Sequence, residues 1–126
     1  MIGSSQGNII ARYVIEACDL GEYKVHNYIS ISGPQNGVQK IPGCFTGEWC
    51  DMLNTIANNL ALLNVTEQHV APAAYYRETQ NLVHYKWYLA QSEYLPYINN
   101  EKEHENSALY KKRFMSLNRI QLYLSD

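Results

Sequence analysis

Five small or polar residues near the start, Gly3-Ser4-Ser5-Gln6-Gly7, run without a spacer into a segment of helical periodicity. That junction constrains the fold more than any other feature of the chain. A turn this tight, left at once as a helix, needs backbone conformations that glycine adopts at little steric cost. Over Asn8 to Cys18, the residues Ile9, Ile10, Tyr13, Val14 and Ala17 recur at helical spacing and predict one apolar stripe. Asp19-Leu20-Gly21 closes the helix, with Gly21 able to take the left-handed conformation. Lys24 to Ser32 then reads as a buried strand through Val25, Tyr28, Ile29 and Ile31, and Ser32-Gly33-Pro34-Gln35-Asn36-Gly37 is a dense turn signal.

Residues 38 to 50 carry two cysteines and read as an irregular loop. From Asp51 to Asn100 the pattern is helical but interrupted. Met52, Leu53, Ile56, Leu60 and Leu63 form one stripe, and Leu82, Val83, Lys86, Trp87 and Leu89 another, with Pro72 between them and Pro96 after. Asn99 to Asn106 is polar and expected to be exposed. Ser107 is expected to cap a last helix to about Leu117, and Ile120, Leu122 and Leu124 alternate as a final strand. Helix, strand, long helical stretch and strand, in that order, predict an α/β arrangement with a parallel pair. Two strands fall short of a stable sheet, and only Met1 and Ile2 stand where a strand before the turn belongs. The chain is therefore expected to be a piece of a larger domain.

Composition narrows the function. Of the 126 residues, 46% are hydrophobic and only 17% charged, which is enough apolar material for a core. Ten basic against twelve acidic side chains give a net charge of -2, and no basic stripe is present to neutralise a run of phosphates. Nucleic acid is thus not an expected partner, and Lys111-Lys112-Arg113 is read as a solvated helix face. No apolar run approaches the ~20 residues of a membrane span, and nothing at the start reads as a signal peptide. Three cysteines leave one thiol unmatched.

The chemistry-bearing pattern is G-x-S-x-G over Gly3 to Gly7. A serine on a sharp strand-to-helix turn presents its hydroxyl outward, and the following backbone N–H faces the reacting carbonyl at a helix N-terminus. Three fixed positions arise by chance in roughly one chain in 25 of this length at average usage, so the helix that follows at once is what gives the match weight. A serine nucleophile needs an orienting acid and a base, in the order Ser, acid, His along folds that use this turn. Asp19 and Asp51 sit at helix ends, whereas Asp126 directly follows the last strand, where open α/β sheets gather functional groups. His26, His69, His84 and His104 all precede Asp126 and read as structural or surface histidines. Glu103-His104-Glu105 alternates on a polar loop and is not read as a metal site. The triad is incomplete on this reading.

These residues resemble the palmitoyl-protein thioesterases along nearly the whole chain. The likeness rests on Gly3-Ser4-Ser5-Gln6-Gly7 with Ala11-Arg12, and on Val25 to Ser30 with Gly33-Pro34-Gln35-Asn36-Gly37-Val38. It continues through Ile41-Pro42-Gly43-Cys44 with Cys50-Asp51, through Asn99-Asn100-Glu101, and through Tyr110 to Phe114 and Ser116-Leu117 ahead of Asp126. The resemblance implies a fragment of an α/β-hydrolase fold. Residues 1–37 would hold the nucleophile turn, its helix and a sheet strand, 38–117 a helical insertion forming the acyl groove, and 118–126 the strand ending at the acid. It implies a serine hydrolase that removes long-chain fatty acyl groups from S-acylated cysteines, in a lysosomal or secretory setting, without a cofactor or metal. Ser5 matches the nucleophile, Gln6 N–H one oxyanion donor and Asp126 the acid, and the histidine and second oxyanion donor would lie outside this chain. Ala108 stands where many relatives would complete a glycosylation sequon at Asn106. Tyr75, Tyr76, Tyr85, Trp87, Tyr88, Tyr94 and Tyr97 read first as helix packing and second as groove lining.

Further expectations follow. Cys44 and Cys50 are expected to pair in an oxidising compartment, leaving Cys18 the odd thiol, and Asn64-Val65-Thr66 is a permitted glycosylation sequon. S-palmitoylated proteins or peptides and fatty acyl thioesters are the expected partners. A lipase or carboxylesterase, or a non-catalytic fragment that binds a lipid or partner, are the competing readings, because a serine triad does not itself choose between sulfur and oxygen esters.

Overall fold

The computed structural model describes residues 1–39, 47, 48, 51, 54 and 75–124. The chain divides into two compact units, Met1–Gln35 with Tyr97–Asp126, and Asn36–Pro96. The first unit is a small α/β layer. Its strands are β1 (Ile2–Ser4), β2 (Asn27–Ile31) and β3 (Arg119–Tyr123), all parallel, in the spatial order β1-β2-β3. Parallel neighbours need a crossover, and helix α1 (Gly7–Glu16) supplies the one between β1 and β2.

Among the described residues the sheet has three strands where the sequence predicted two. Ile2-Gly3-Ser4 is too short to show a period, and it becomes a strand because its register opposite Ile29, Ser30 and Ile31 satisfies its backbone. The register also sorts the faces. Gly3, Tyr28 and Ser30 lie on the face that α1 covers and are buried, Ile120 and Leu122 continue that face on β3 but are exposed, and Ile2, Ile31 and Tyr123 lie exposed on the other face. Parallel sheets usually have both faces covered; among the described residues α1 covers one face over β1 and β2.

Helix α1 buries a face different from the predicted one. Asn8, Ile9, Ala11, Arg12, Ile15 and Glu16 are inside, whereas Ile10 and Tyr13 are exposed. The buried face thus carries three polar residues, each four positions from the next, so an apolar count rotates the helix away from its true orientation. Ala11 and Ile15 pack on Tyr28, with Val25, Phe114 and Leu117 closing the cluster. The helix ends at Glu16, before Asp19-Leu20-Gly21, and Gly21 takes its φ of +59° in the turn beyond. His26 stands just ahead of β2 and not within it.

Helix α4 (Ser107–Met115) packs against α1. Its N-cap is Asn106, and Ser107 is the first helical residue, its hydroxyl accepting from His104 N–H at 2.8 Å. Arg113 is not a solvated charge: it donates to the carbonyls of Glu16 and Ala17, both at 3.1 Å, neutralising the C-terminal end of α1. The Asn99–Asn106 stretch is likewise only partly exposed. Asn99 accepts from Arg12 Nη1 at 2.6 Å, and the His104 ring stands edge-on between Tyr97 and Tyr110.

In the second unit, α2 (Leu82–Gln91) starts at Asn81, whose side chain accepts from Val83 N–H and His84 N–H. Helix α3 (Leu95–Ile98) begins at the end of that unit. Tyr88 and Leu95 are fully buried, and the Arg77 guanidinium lies over the Tyr85 and Tyr88 rings. Tyr85 and Tyr88 thus stack together beside Arg77. Among the described residues no helix is long and apolar enough to cross a membrane.

Candidate active site

All three parallel strands end at one edge of the sheet, and the chain leaves β1 there through Ser5. Ser5 has φ +47°, in the left-handed region that a residue with a Cβ enters at a cost of about 1–2 kcal/mol. Its N–H donates to Ile31 C=O at 2.9 Å, one residue past the end of the ladder, and its C=O accepts from Asn8 N–H at 3.1 Å. The turn is thus pinned at both ends while the Ser5 side chain stays exposed. Gln6 is the N-cap of α1, and its own N–H has no hydrogen-bond acceptor among the described residues. A hydroxyl and a backbone donor are therefore presented together at a positive helix end, the electrostatics that stabilise a developing oxyanion.

The two glycines of the motif do different things. A Cβ at Gly3 would lie 2.5 Å from Asn8 Oδ1 and 2.9 Å from Asn8 Cα, so only glycine lets α1 sit this close to β1. A Cβ at Gly7 meets nothing within 4 Å among the described residues, leaving open space beside the turn. Ser32 repeats the exit of Ser5 one strand over. It too has φ +47°, and its N–H donates to Tyr123 C=O at 2.7 Å.

Beneath the turn lies a buried polar network that apolar periodicity gives no means to find. Asn8, fully buried, donates through Nδ2 to Ser5 C=O at 2.9 Å and to Ile31 C=O at 3.0 Å. Tyr28 Oη donates to Asn8 Oδ1 at 2.9 Å, and Gln35 Nε2 donates to Tyr28 Oη and Ser30 Oγ. One helical turn on, Arg12 holds Glu16 through Nε at 2.8 Å and bonds Asn99 and the Ile98 carbonyl through its other nitrogens, with Phe114 under its guanidinium. Burial pushes the Glu16 carboxyl up to about 7, against the downward pull of Arg12.

His26 precedes β2, so it lies at the opposite edge of the sheet, about 20 Å from Ser5 at the usual rise per strand residue. His104 is held in its aromatic sandwich, with Nδ1 accepting from Asn106 N–H. In the second unit, His84 Nδ1 meets Glu78 Oε2 at 2.6 Å, and that carboxylate also accepts from Tyr76 and Gln39. The His84 hydrogen bond, more than any other partner, lowers the Glu78 carboxyl, and burial raises the Tyr76 hydroxyl. Among the described residues no three His, Cys, Asp or Glu side chains are grouped to hold a metal ion. Asp126, Cys44, Cys50, Asn64 and His69 lie outside the described residues; Cys18 is a free, half-buried thiol.

The whole sequence, residues 1–126, matches the family model described as palmitoyl protein thioesterase. It is 32% identical to the lysosomal thioesterase PPT2 homolog of Drosophila melanogaster, over 95% of this chain and 39% of that protein. It is 32% identical to palmitoyl-protein thioesterase 3 of Dictyostelium discoideum, over 99% of this chain and 40% of that one. With lysosomal thioesterase PPT2 of Bos taurus the identity is 27%, over 97% and 38%. The chain spans about two fifths of the length of these curated relatives.

Proposed function

The chain belongs to the palmitoyl protein thioesterase family, and from that premise we propose that it carries the nucleophile of a serine thioesterase acting on S-palmitoylated proteins or peptides. The observation that supports this most is Ser5: exposed, at φ +47°, between a strand end and a helix N-terminus. Ser5 Oγ attacks the thioester carbonyl carbon as its proton passes to a histidine. The Gln6 N–H stabilises the oxyanion, the C–S bond breaks, and the sulfur leaves as a thiol with that proton. Water, deprotonated by the same histidine, then attacks the acyl ester, releasing the fatty acid and restoring the Ser5 hydroxyl. Asp126 orients the histidine, as the acid that follows a sheet strand. We take the base to be a histidine after Asp126, in the order Ser, acid, His, carried by further sequence of the kind the longer relatives have. The layer would then be part of an α/β-hydrolase fold, and the 126 residues alone should leave substrate untouched. The test is turnover of a palmitoyl-thioester reporter against the matching oxygen ester by the full-length gene product. Cleavage of the oxygen ester alone would favour a lipase or carboxylesterase.

The names of the fly and bovine relatives favour a lysosomal setting, and two covalent proposals go with it. Cys44 and Cys50 close a short disulfide loop, which the loop-entropy model values at roughly 2–2.5 kcal/mol, and Asn64 carries an N-linked glycan. Peptide mapping of unreduced protein from secretory expression is expected to show the 44–50 bridge and a glycan-bearing Asn64 peptide. A bridge containing Cys18 with either partner, or an unmodified Asn64, would overturn the respective assignment.

A further inference from the structure

We infer that Asn8 is the positioning residue of the turn, holding the Ser5 backbone and aiming the Gln6 N–H from below. This rests on the reading of Ser5 as nucleophile and Gln6 N–H as oxyanion donor.

Two acceptors converge on one amide nitrogen: Asn8 Nδ2 donates to Ser5 C=O at 2.9 Å and to Ile31 C=O at 3.0 Å. Ile31 C=O is also the group that receives the Ser5 N–H. The peptide unit after Ser5 is therefore tied to Asn8 directly, and the one before it shares the Ile31 carbonyl with the Asn8 side chain. A peptide unit is planar and trans, so Ser5 C=O and Gln6 N–H point in opposite directions. Drawing the carbonyl down toward Asn8 turns the N–H up, away from the helix–sheet junction and toward the exposed Ser5 side.

The amide cannot be reversed without loss. Gln35 Nε2 donates to Tyr28 Oη at 2.7 Å, which leaves the Tyr28 proton for Asn8 Oδ1 at 2.9 Å. With its oxygen so engaged, Asn8 must present its nitrogen to the two carbonyls. Its place is also closed sterically. A Cβ at Gly3 would come within 2.5 Å of Asn8 Oδ1, and a Cβ at Gly33 within 2.7 Å of Asn8 Cγ. The relay runs Gln35 to Tyr28 to Asn8 to Ser5, from the turn after β2 to the turn after β1, and Asn8 touches no substrate itself.

The test uses the full-length gene product and kcat and KM for the palmitoyl-thioester reporter. It adds the affinity of a palmityl trifluoromethyl ketone, which forms the oxyanion, and of palmitate, which does not. Asn8→Ala should lower kcat about 100-fold, the scale of losing one oxyanion donor, with the ketone weakened in parallel and KM and palmitate affinity held within about threefold. Asn8→Asp should fall further, because a carboxylate oxygen would face two carbonyl oxygens. Tyr28→Phe should cost about tenfold alone and under about twofold in the Asn8→Ala background, as residues in one network are non-additive. Unchanged kcat and ketone affinity in Asn8→Asp would overturn the inference, as would a rise in KM alone. If Asn8 variants fail to fold, Tyr28→Phe decides: an unchanged kcat and ketone affinity overturn it. Activity surviving Ser5→Ala would instead overturn the reading beneath it.

Discussion

In the full-length gene product that contains this chain, Ser5→Ala is expected to lower kcat for a palmitoyl-thioester reporter by about 10⁴-fold or more, with KM little changed. The magnitude is that of removing the nucleophile from a triad, where the remaining donors and binding groups retain only residual catalysis. Ser4→Ala is the informative companion. Ser4 is the last residue of β1, with strand pairing to Ile31, and only Ser5 occupies the strained turn position at φ +47°. Ser4→Ala should therefore stay within about threefold of the parent, since it removes no group made only in the transition state. Circular dichroism of both variants separates loss of chemistry from loss of fold. Full activity in folded Ser5→Ala would remove Ser5 as nucleophile, and a collapse in Ser4→Ala would move the assignment one residue.

Replacing Arg12 by alanine is expected to destabilise the protein by about 3–5 kcal/mol above neutral pH, because a buried acid that ionises in the unfolded chain loses its partner in the folded one. Arg12 joins Glu16 on its own helix to Asn99 and the Ile98 carbonyl, so the variant also cuts α1 from the chain that returns after the second unit. The pH dependence carries a definite sign. Glu16 is held up to about 7 by burial, above its ordinary value of 4.5. An acid whose folded pKa is raised contributes stability that is fully present below the unfolded pKa and lost as pH climbs through the folded one. Between pH 4.5 and about 7 the protein should lose up to about 3 kcal/mol from this group. Glu16→Gln, which keeps an oxygen for Arg12 Nε, should flatten that slope. In Arg12→Ala the slope should steepen, since the one charge that lowers the Glu16 carboxyl is gone. Thermal unfolding from pH 4.5 to 8 reads all three. An unaltered slope in Glu16→Gln would show that other groups set the pH dependence.

Much of the local structure was legible in the residue order. The Gly/Ser turn running into a helix, the strand over Tyr28 and its neighbours, the last helix and the last strand all follow from period and turn chemistry. Pro96 does not break the chain as expected: α2 ends at Gln91, and Pro96 is the second residue of α3. Each of these signals is made by residues adjacent in sequence, and the motif that names Ser5 and Gln6 is of the same kind. What the sequence could not deliver was the orientation of α1. Its true inward face is Asn8, Arg12 and Glu16 beside Ile9, Ala11 and Ile15. Burying three polar side chains is costly unless each finds partners, and those partners come from distant positions. Ile31 and Tyr28 take up Asn8, Asn99 and Ile98 take up Arg12, and Arg113 caps the carbonyls at the helix end. Apolar counting assumes the inward face is greasy, and so it favoured Ile10 and Tyr13, which are exposed.

The first strand shows the same division. Ile2-Gly3-Ser4 carries no pattern, and it is a strand only because β2 offers a register for it. The sequence by itself thus determined which residues can form the turn, the elements around it and the chemistry a serine there can perform. Tertiary structure alone decided that Ser5 is held in its strained conformation, and that Gly3 and Gly33 are needed to make room for Asn8. The physical reason is range. Turn chemistry and periodicity act over a few residues, whereas the hydrogen bonds that make a buried polar face affordable join positions 20 to 97 residues apart.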